Sequence, residues 1–136
     1  MGDRARAELH MLPAPDAPGH ARRWLREACA DSVLPDELIE DALVVVDELV
    51  TNAVVHAGTP IAVTVEYSAS GCRCSVTDRC ADGQLPRLVE RADGTGRGLR
   101  LVSALSSHWG VERSRTGTTV WADLPATVWS GNTSAR

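Results

Sequence analysis

The chain has 136 residues, 14 basic and 18 acidic, for a formal net charge of −4, with 43% hydrophobic and 24% charged residues. That is enough chain for one domain to bury a core without disulfide or metal support, and the negative balance disfavours non-specific nucleic-acid binding. No apolar run is long enough to span a membrane and the first residues are polar and charged, so the expectation is a cytoplasmic protein with neither a nucleic-acid nor a membrane partner.

In chain order, residues 1–8 read as a flexible N-terminus, a folded domain is expected over 9–125, and 126–136 read as a C-terminal tail. A short strand is expected around Ala7 to Leu12, ended by Pro13, Pro15 and Pro18. Ala21, Trp24, Leu25 and Ala28 give the apolar stripe of a helix from about Ala17 to Ala30. Pro35 can occupy the first turn of a second helix, with Asp36 and Glu37 at its positive end. That helix is expected to run to Ala57 and stop at Gly58. Beyond it the period changes to two: Ile61, Val63, Val65 and Tyr67 alternate with smaller or polar residues. Cys72, Cys74, Val76 and Asp78 continue as an antiparallel partner after a turn at Ser70-Gly71. Residues 79–96 have no stable period and read as a loop or lid; a helix begins near Arg97, and two strands, Trp109 to Ser114 and Thr118 to Leu124, follow. The order implies an α+β fold: a two-layer sandwich with helices on one face of a mixed, mostly antiparallel sheet.

Several residue types narrow the chemistry. Every basic residue is Arg, so Schiff-base chemistry and lysine-based phosphate loops are excluded. Cys29, Cys72, Cys74 and Cys80 contain no C-x-x-C pair and fit no zinc spacing, so they read as small buried hydrophobes rather than a metal or redox centre. Glu48, Asn52 and His56 are spaced i, i+4, i+8 and share one stripe of the second helix, beside the apolar Leu49, Val50, Ala53 and Val54. A carboxylate and a carboxamide one turn apart can hold a hydrated divalent cation and orient a hydroxyl or water. Asp78 continues an inward apolar row and so needs a donor, for which an exocyclic amine such as that of adenine is suited. Gly94-Thr95-Gly96-Arg97-Gly98-Leu99 lies at a loop-to-helix junction, where successive N–H groups form an anion site. Backbone bonds to a charged phosphate are worth roughly 1.5 to 3 kcal/mol each, so a few supply micromolar nucleotide binding.

Taken in order, E-x-x-x-N-A-x-x-H (Glu48 to His56), the strand-end Asp78, G-x-G-R-G-L (Gly94 to Leu99) and G-T-T (Gly117 to Thr119) resemble the Bergerat-type (GHKL) ATP-binding fold of histidine kinases, gyrase, Hsp90 and MutL. The short length and N-terminal helices most resemble its single-domain branch, the anti-sigma-factor serine kinases. The resemblance implies Mg2+ bound through Asn52, Glu48 as general base, and Asp78 on the adenine amino group with Thr118 nearby through water. It implies that the amides of Arg97, Gly98 and Leu99 cradle phosphates, Gly94, Thr95 and Gly96 belong to the ATP lid of residues 80–96, and His56 lies beside the phosphates or acts as a positive group at the helix end. ATP and Mg2+ would be the cofactors; a sigma factor and a STAS-type anti-anti-sigma protein would be the partners, with a homodimer as the assembly. The function implied is that of a serine/threonine kinase that also sequesters a sigma factor. The family follows its adenine Asp with D-x-G-x-G, whereas Cys80 and Asp82 fill both glycine positions here. That departure supports a second reading, a nucleotide-weak or non-catalytic module that regulates by sequestering a partner.

Overall fold

The computed structural model describes residues 4–80 and 97–126. Its elements are β1 (Ala5–Met11), α1 (Ala17–Ala28), α2 (Asp36–Asn52) continuing into a wide π-helical turn (Ala53–Ala57), β2 (Ile61–Ser68), β3 (Gly71–Asp78), α3 (Arg97–Leu105), β4 (His108–Arg113) and β5 (Thr118–Pro125).

The five strands form one sheet in the order β1-β2-β3-β5-β4. The sheet anticipated as mixed but mostly antiparallel is antiparallel in all four pairings among the described strands. The hairpins β2–β3 and β4–β5 require this of their own strands. The stretch that carries α3 delivers the chain to the outer edge at β4, so that β5 returns beside β3 against its direction. β1 starts at Ala5, so residues 5–8, expected in a flexible N-terminus, belong to the sheet instead. The physical reason is legible in the alternation: Ala7, Leu9 and Met11 face the core side, while Arg6 on the other face reaches Glu8 at 2.9 Å and Glu66 across the pair at 3.7 Å.

The helices share the opposite layer. Alternate residues of β2 (Ile61, Val63, Val65), β3 (Cys72, Cys74, Val76) and β5 (Val120, Ala122, Leu124) are buried under them. α2 crosses the middle, packing on β3 and β5 with α1 and α3 at its flanks. Its inner face is Leu38, Ala42, Val45, Val46, Leu49 and Val50, all buried. α1 contributes Ala17, Ala21 and Leu25 and is tied to α2 by the ion pairs Arg22–Asp47 and Arg26–Glu40. Such exposed pairs are worth under about 1 kcal/mol each, so apolar burial holds the layers together. Among the described residues no helix is long and apolar enough to cross a membrane.

Candidate functional site

Glu48 and Asn52 lie half-buried on α2, and His56 half-buried in the wide turn that follows it. The turn offsets the forward drift of about 40° that each four-residue step makes on an α-helix, so the stripe persists past Asn52. It closes with the Gly58 N–H donating to the Ala53 carbonyl at 3.1 Å, and Gly58 takes a left-handed conformation at φ 63°. The single long helix anticipated to Ala57 is therefore an α-helix to Asn52 with a different turn beyond it.

From Gly58 the chain passes through Thr59 and Pro60 into β2, and here the helix end meets the end of the sheet. The Thr59 hydroxyl accepts the Arg79 N–H at 2.8 Å, which fixes the exit of α2 beside the exit of β3. Asp78 is the residue immediately before Arg79 and points inward, 6% exposed. Its Oδ1 accepts the Cys80 N–H at 2.7 Å. Burial raises the pKa of the Asp78 carboxyl, and hydrogen bonds from the Cys80 and Thr118 backbones oppose that shift. None of the ion pairs among the described residues involves Asp78. A buried carboxylate served by neutral donors retains acceptor capacity for a further N–H donor such as an exocyclic amine.

Thr118 stands directly opposite Asp78 in the β3–β5 ladder and is fully buried. Its hydroxyl donates to the Cys80 carbonyl at 2.9 Å. Cys80 is thus held from both sides, by Asp78 at its N–H and by Thr118 at its carbonyl. No non-glycine residue among those described has positive φ, so Cys80 occupies the first expected glycine position without a conformation that only glycine tolerates. The G-T-T segment also has a use that its spacing did not reveal. A Cβ on Gly117 would run into the Asp78 carbonyl oxygen, so glycine there lets the turn close over the strand end.

A cleft of about 480 Å³ opens at this end of the sheet, with Leu12, Pro60, Ile61, Thr77, Asp78 and Arg79 in its wall. Thr59 and Arg79 were not singled out in the sequence because their contribution is a backbone contact, which carries no periodic signal; Gly117 was legible as part of the G-T-T motif, but its close approach to the Asp78 carbonyl was not. Gly94, Thr95, Gly96 and Asp82 lie outside the described residues. Arg97, Gly98 and Leu99 form the first turn of α3, which packs against α2. The structure therefore brings Asp78, Thr118 and the end of α2 to one edge of the molecule. Among the described residues there is no cluster of three or more His, Cys, Asp or Glu able to hold a metal ion. Cys29, Cys72 and Cys74 are buried, and Cys80 is partly so.

Residues 12–124 match the model of a family described as the histidine kinase-like ATPase domain. No curated protein matches the chain. Fourteen chains of solved structures do. One is the crystal structure of the RsbU and RsbW domains of a Mycobacterium tuberculosis protein, with 22% identity and a TM-score of 0.68, covering 88% of this chain and 31% of that one. The chain thus spans about a third of the length of that structure. Another is the histidine kinase domain of a blue-light activated histidine kinase from Erythrobacter litoralis, with 22% identity and a TM-score of 0.50, covering 90% of this chain and 70% of that one. At these identities the likeness is one of fold.

Proposed function

The chain belongs to the histidine kinase-like ATPase family, and on that premise we propose that it is an ATP-dependent protein serine/threonine kinase of the anti-sigma-factor type, working in the cytoplasm. Its acceptor is a hydroxyl of a small STAS-type antagonist protein, and its second partner is a sigma factor that it sequesters. The observation that carries the nucleotide half of this reading is Asp78, a buried carboxylate with neutral hydrogen-bond donors at the sheet end where α2 also terminates.

ATP supplies the phosphoryl group, and Mg2+ supplies the charge that such a transfer must neutralise. The residues present suit both. Asp78 accepts from the adenine amino group, and Thr118, bonded to the Cys80 carbonyl, fixes the turn that shapes the adenine end. Asn52 offers an amide oxygen, a hard ligand of the type Mg2+ takes alongside phosphates and water. Glu48, one helical turn before Asn52, receives the proton of the acceptor hydroxyl, and His56 sits one turn beyond on the phosphate side. The N–H groups of Arg97, Gly98 and Leu99, with Gly94, Thr95 and Gly96 preceding them, hold the phosphate oxygens at a helix N-terminus. The anti-sigma part of the reading rests on the resemblance of motif order and length described above.

Purified protein is titrated with Mg-ATP by calorimetry and by thermal melting. At a ligand concentration 100 times the dissociation constant, binding adds about 2.7 kcal/mol of stability. The reading is lost if neither method detects nucleotide, or if the melting shift is unchanged in Asn52→Ala. Phosphate transfer to a co-purified acceptor that disappears in Glu48→Ala completes the assignment. Nucleotide binding without transfer supports instead a partner-sequestering module, the reading for which Asp82 at a glycine position speaks.

A further inference from the structure

The cleft at the Asp78 end of the sheet reaches beyond the helical side. Its wall includes His10, Ala62 and Thr77, which stand opposite one another across β1, β2 and β3 in a single row. Directly opposed residues of an antiparallel sheet point to the same face, and successive residues of a strand to opposite faces. Ile61, Val76 and Asp78 are buried toward the helices, so this row lies on the face turned away from them. The cleft therefore runs round the strand ends to the side of the sheet opposite Glu48 and Asn52.

Two features of this outer mouth call for a ligand. The first is apolar surface left in water: Leu12, just past β1, is 73% exposed and shares the cleft wall with Pro60. The second is positive charge without a partner. Arg79 and Thr116 line the cleft, and Arg115 precedes Thr116 in the β4–β5 turn. That turn is internally bonded, the Ser114 N–H donating to the Gly117 carbonyl at 2.8 Å and the Thr116 N–H to the Ser114 hydroxyl at 3.2 Å. It lies against Arg79, whose Cα would stand 3.3 Å from a Cβ on Gly117. Arg79 and Arg115 are both exposed, and neither belongs to an ion pair among the described residues. The carboxylates of this face do not neutralise them: Glu8 is bonded to Arg6 and His10, at 2.9 and 2.6 Å, and Glu112 is on the edge strand β4.

We propose that this outer mouth docks an acidic segment of a partner protein, which seats an apolar side chain against Leu12 and Pro60 and places flanking carboxylates on Arg79 and Arg115. A guanidinium fork matches a carboxylate in shape as well as charge. The apolar anchor supplies the desolvated contact, while the two arginines set orientation and speed of encounter. A nucleic acid is the poorer occupant, because the chain carries a net charge of −4 and a phosphate backbone needs a longer run of cations. The identity of the partner rests on the kinase reading above: it is the protein that presents the acceptor hydroxyl. Docking on the outer side holds that protein at the correct end of the molecule and leaves the helical side to the nucleotide.

The test is fluorescence anisotropy of the full-length protein with a short labelled peptide of Asp and Glu around one Leu. Matched peptides carry Lys for the acidic residues, or Ala for the Leu. The acidic Leu peptide is expected to bind most tightly, and less so as ionic strength rises. The double variant Arg79→Glu, Arg115→Glu should lose it and take up the Lys peptide instead, and Leu12→Ser should weaken it by about 10-fold. Mg-ATP binding by calorimetry should be unchanged in both variants. The substituted side chains are exposed, and the peptide series on the unaltered chain needs no variant. The proposal is overturned if the acidic peptide binds no better than the Lys peptide, if single-stranded DNA binds as tightly, or if charge reversal leaves peptide affinity unchanged. It is equally lost if charge reversal abolishes Mg-ATP binding, which would assign the arginines to the nucleotide site. Peptide binding is read with and without Mg-ATP, so failure of the nucleotide reading and failure of the docking surface give separate results.

Discussion

At Asp78 a carboxylate has been taken out of water and repaid only in part by backbone N–H groups, which is why its pKa is raised. A raised folded-state pKa means that the folded chain takes up the proton more readily than the unfolded one. The associated stability is present below the ordinary carboxylate range and is lost as pH rises through the folded pKa. Asp78→Asn removes the charge while keeping an acceptor oxygen for Cys80. Its melting temperature should therefore exceed that of the parent at pH 7 to 8, with the difference shrinking on acidification below pH 4 as measured by thermal melts across pH. On the proposed adenine-binding role of Asp78, ATP affinity in the same variant should fall by roughly 100-fold or more by calorimetry, an exchange of function for stability. Gly117→Ala acts on the same residue through its backbone. The new methyl meets the Asp78 carbonyl oxygen, and a cost of about 1 to 3 kcal/mol in denaturant unfolding is expected.

The π-helical turn at the end of α2 is the element on which the proposed site depends. It follows Asn52 directly, and its closure by Gly58 sends Thr59 to the Arg79 N–H and so aligns the helix with the strand that carries Asp78. Gly58 has φ 63° and nothing within 4 Å of where a Cβ would stand, so substitution there tests backbone strain alone. Gly58→Ala should cost about 1 to 2 kcal/mol in chemical denaturation. The exposed ion pairs on the flank of α2 are a contrast: Arg26→Ala, which breaks the 3.1 Å contact to Glu40, should change stability by less than about 1 kcal/mol.

For the molecule as a whole, the two-layer arrangement rests on apolar burial between the helices and one face of the sheet. Leu25, fully buried where α1 joins that layer, is the single side chain whose truncation is most informative. Leu25→Ala should cost about 2 to 5 kcal/mol in urea unfolding, since the cavity it leaves is lined by rigid packing. Much of this scale could be read from the chain beforehand. The change of apolar period from helical to alternating after Gly58 marked helices and strands, and Asp78 on the Cys72, Cys74, Val76 row already pointed inward, because periodicity is a local property that neighbouring residues impose on one another. The order of motifs along the chain likewise carried the family. The sequence did not carry the inclusion of residues 5–8 in the sheet, the antiparallel return of β5 beside β3, the locking of Cys80 between Asp78 and Thr118, or the close approach that requires Gly117. Each depends on which backbone groups become neighbours once distant segments pack, and hydrogen-bond pairing and steric contact between segments leave no period in the chain that folds.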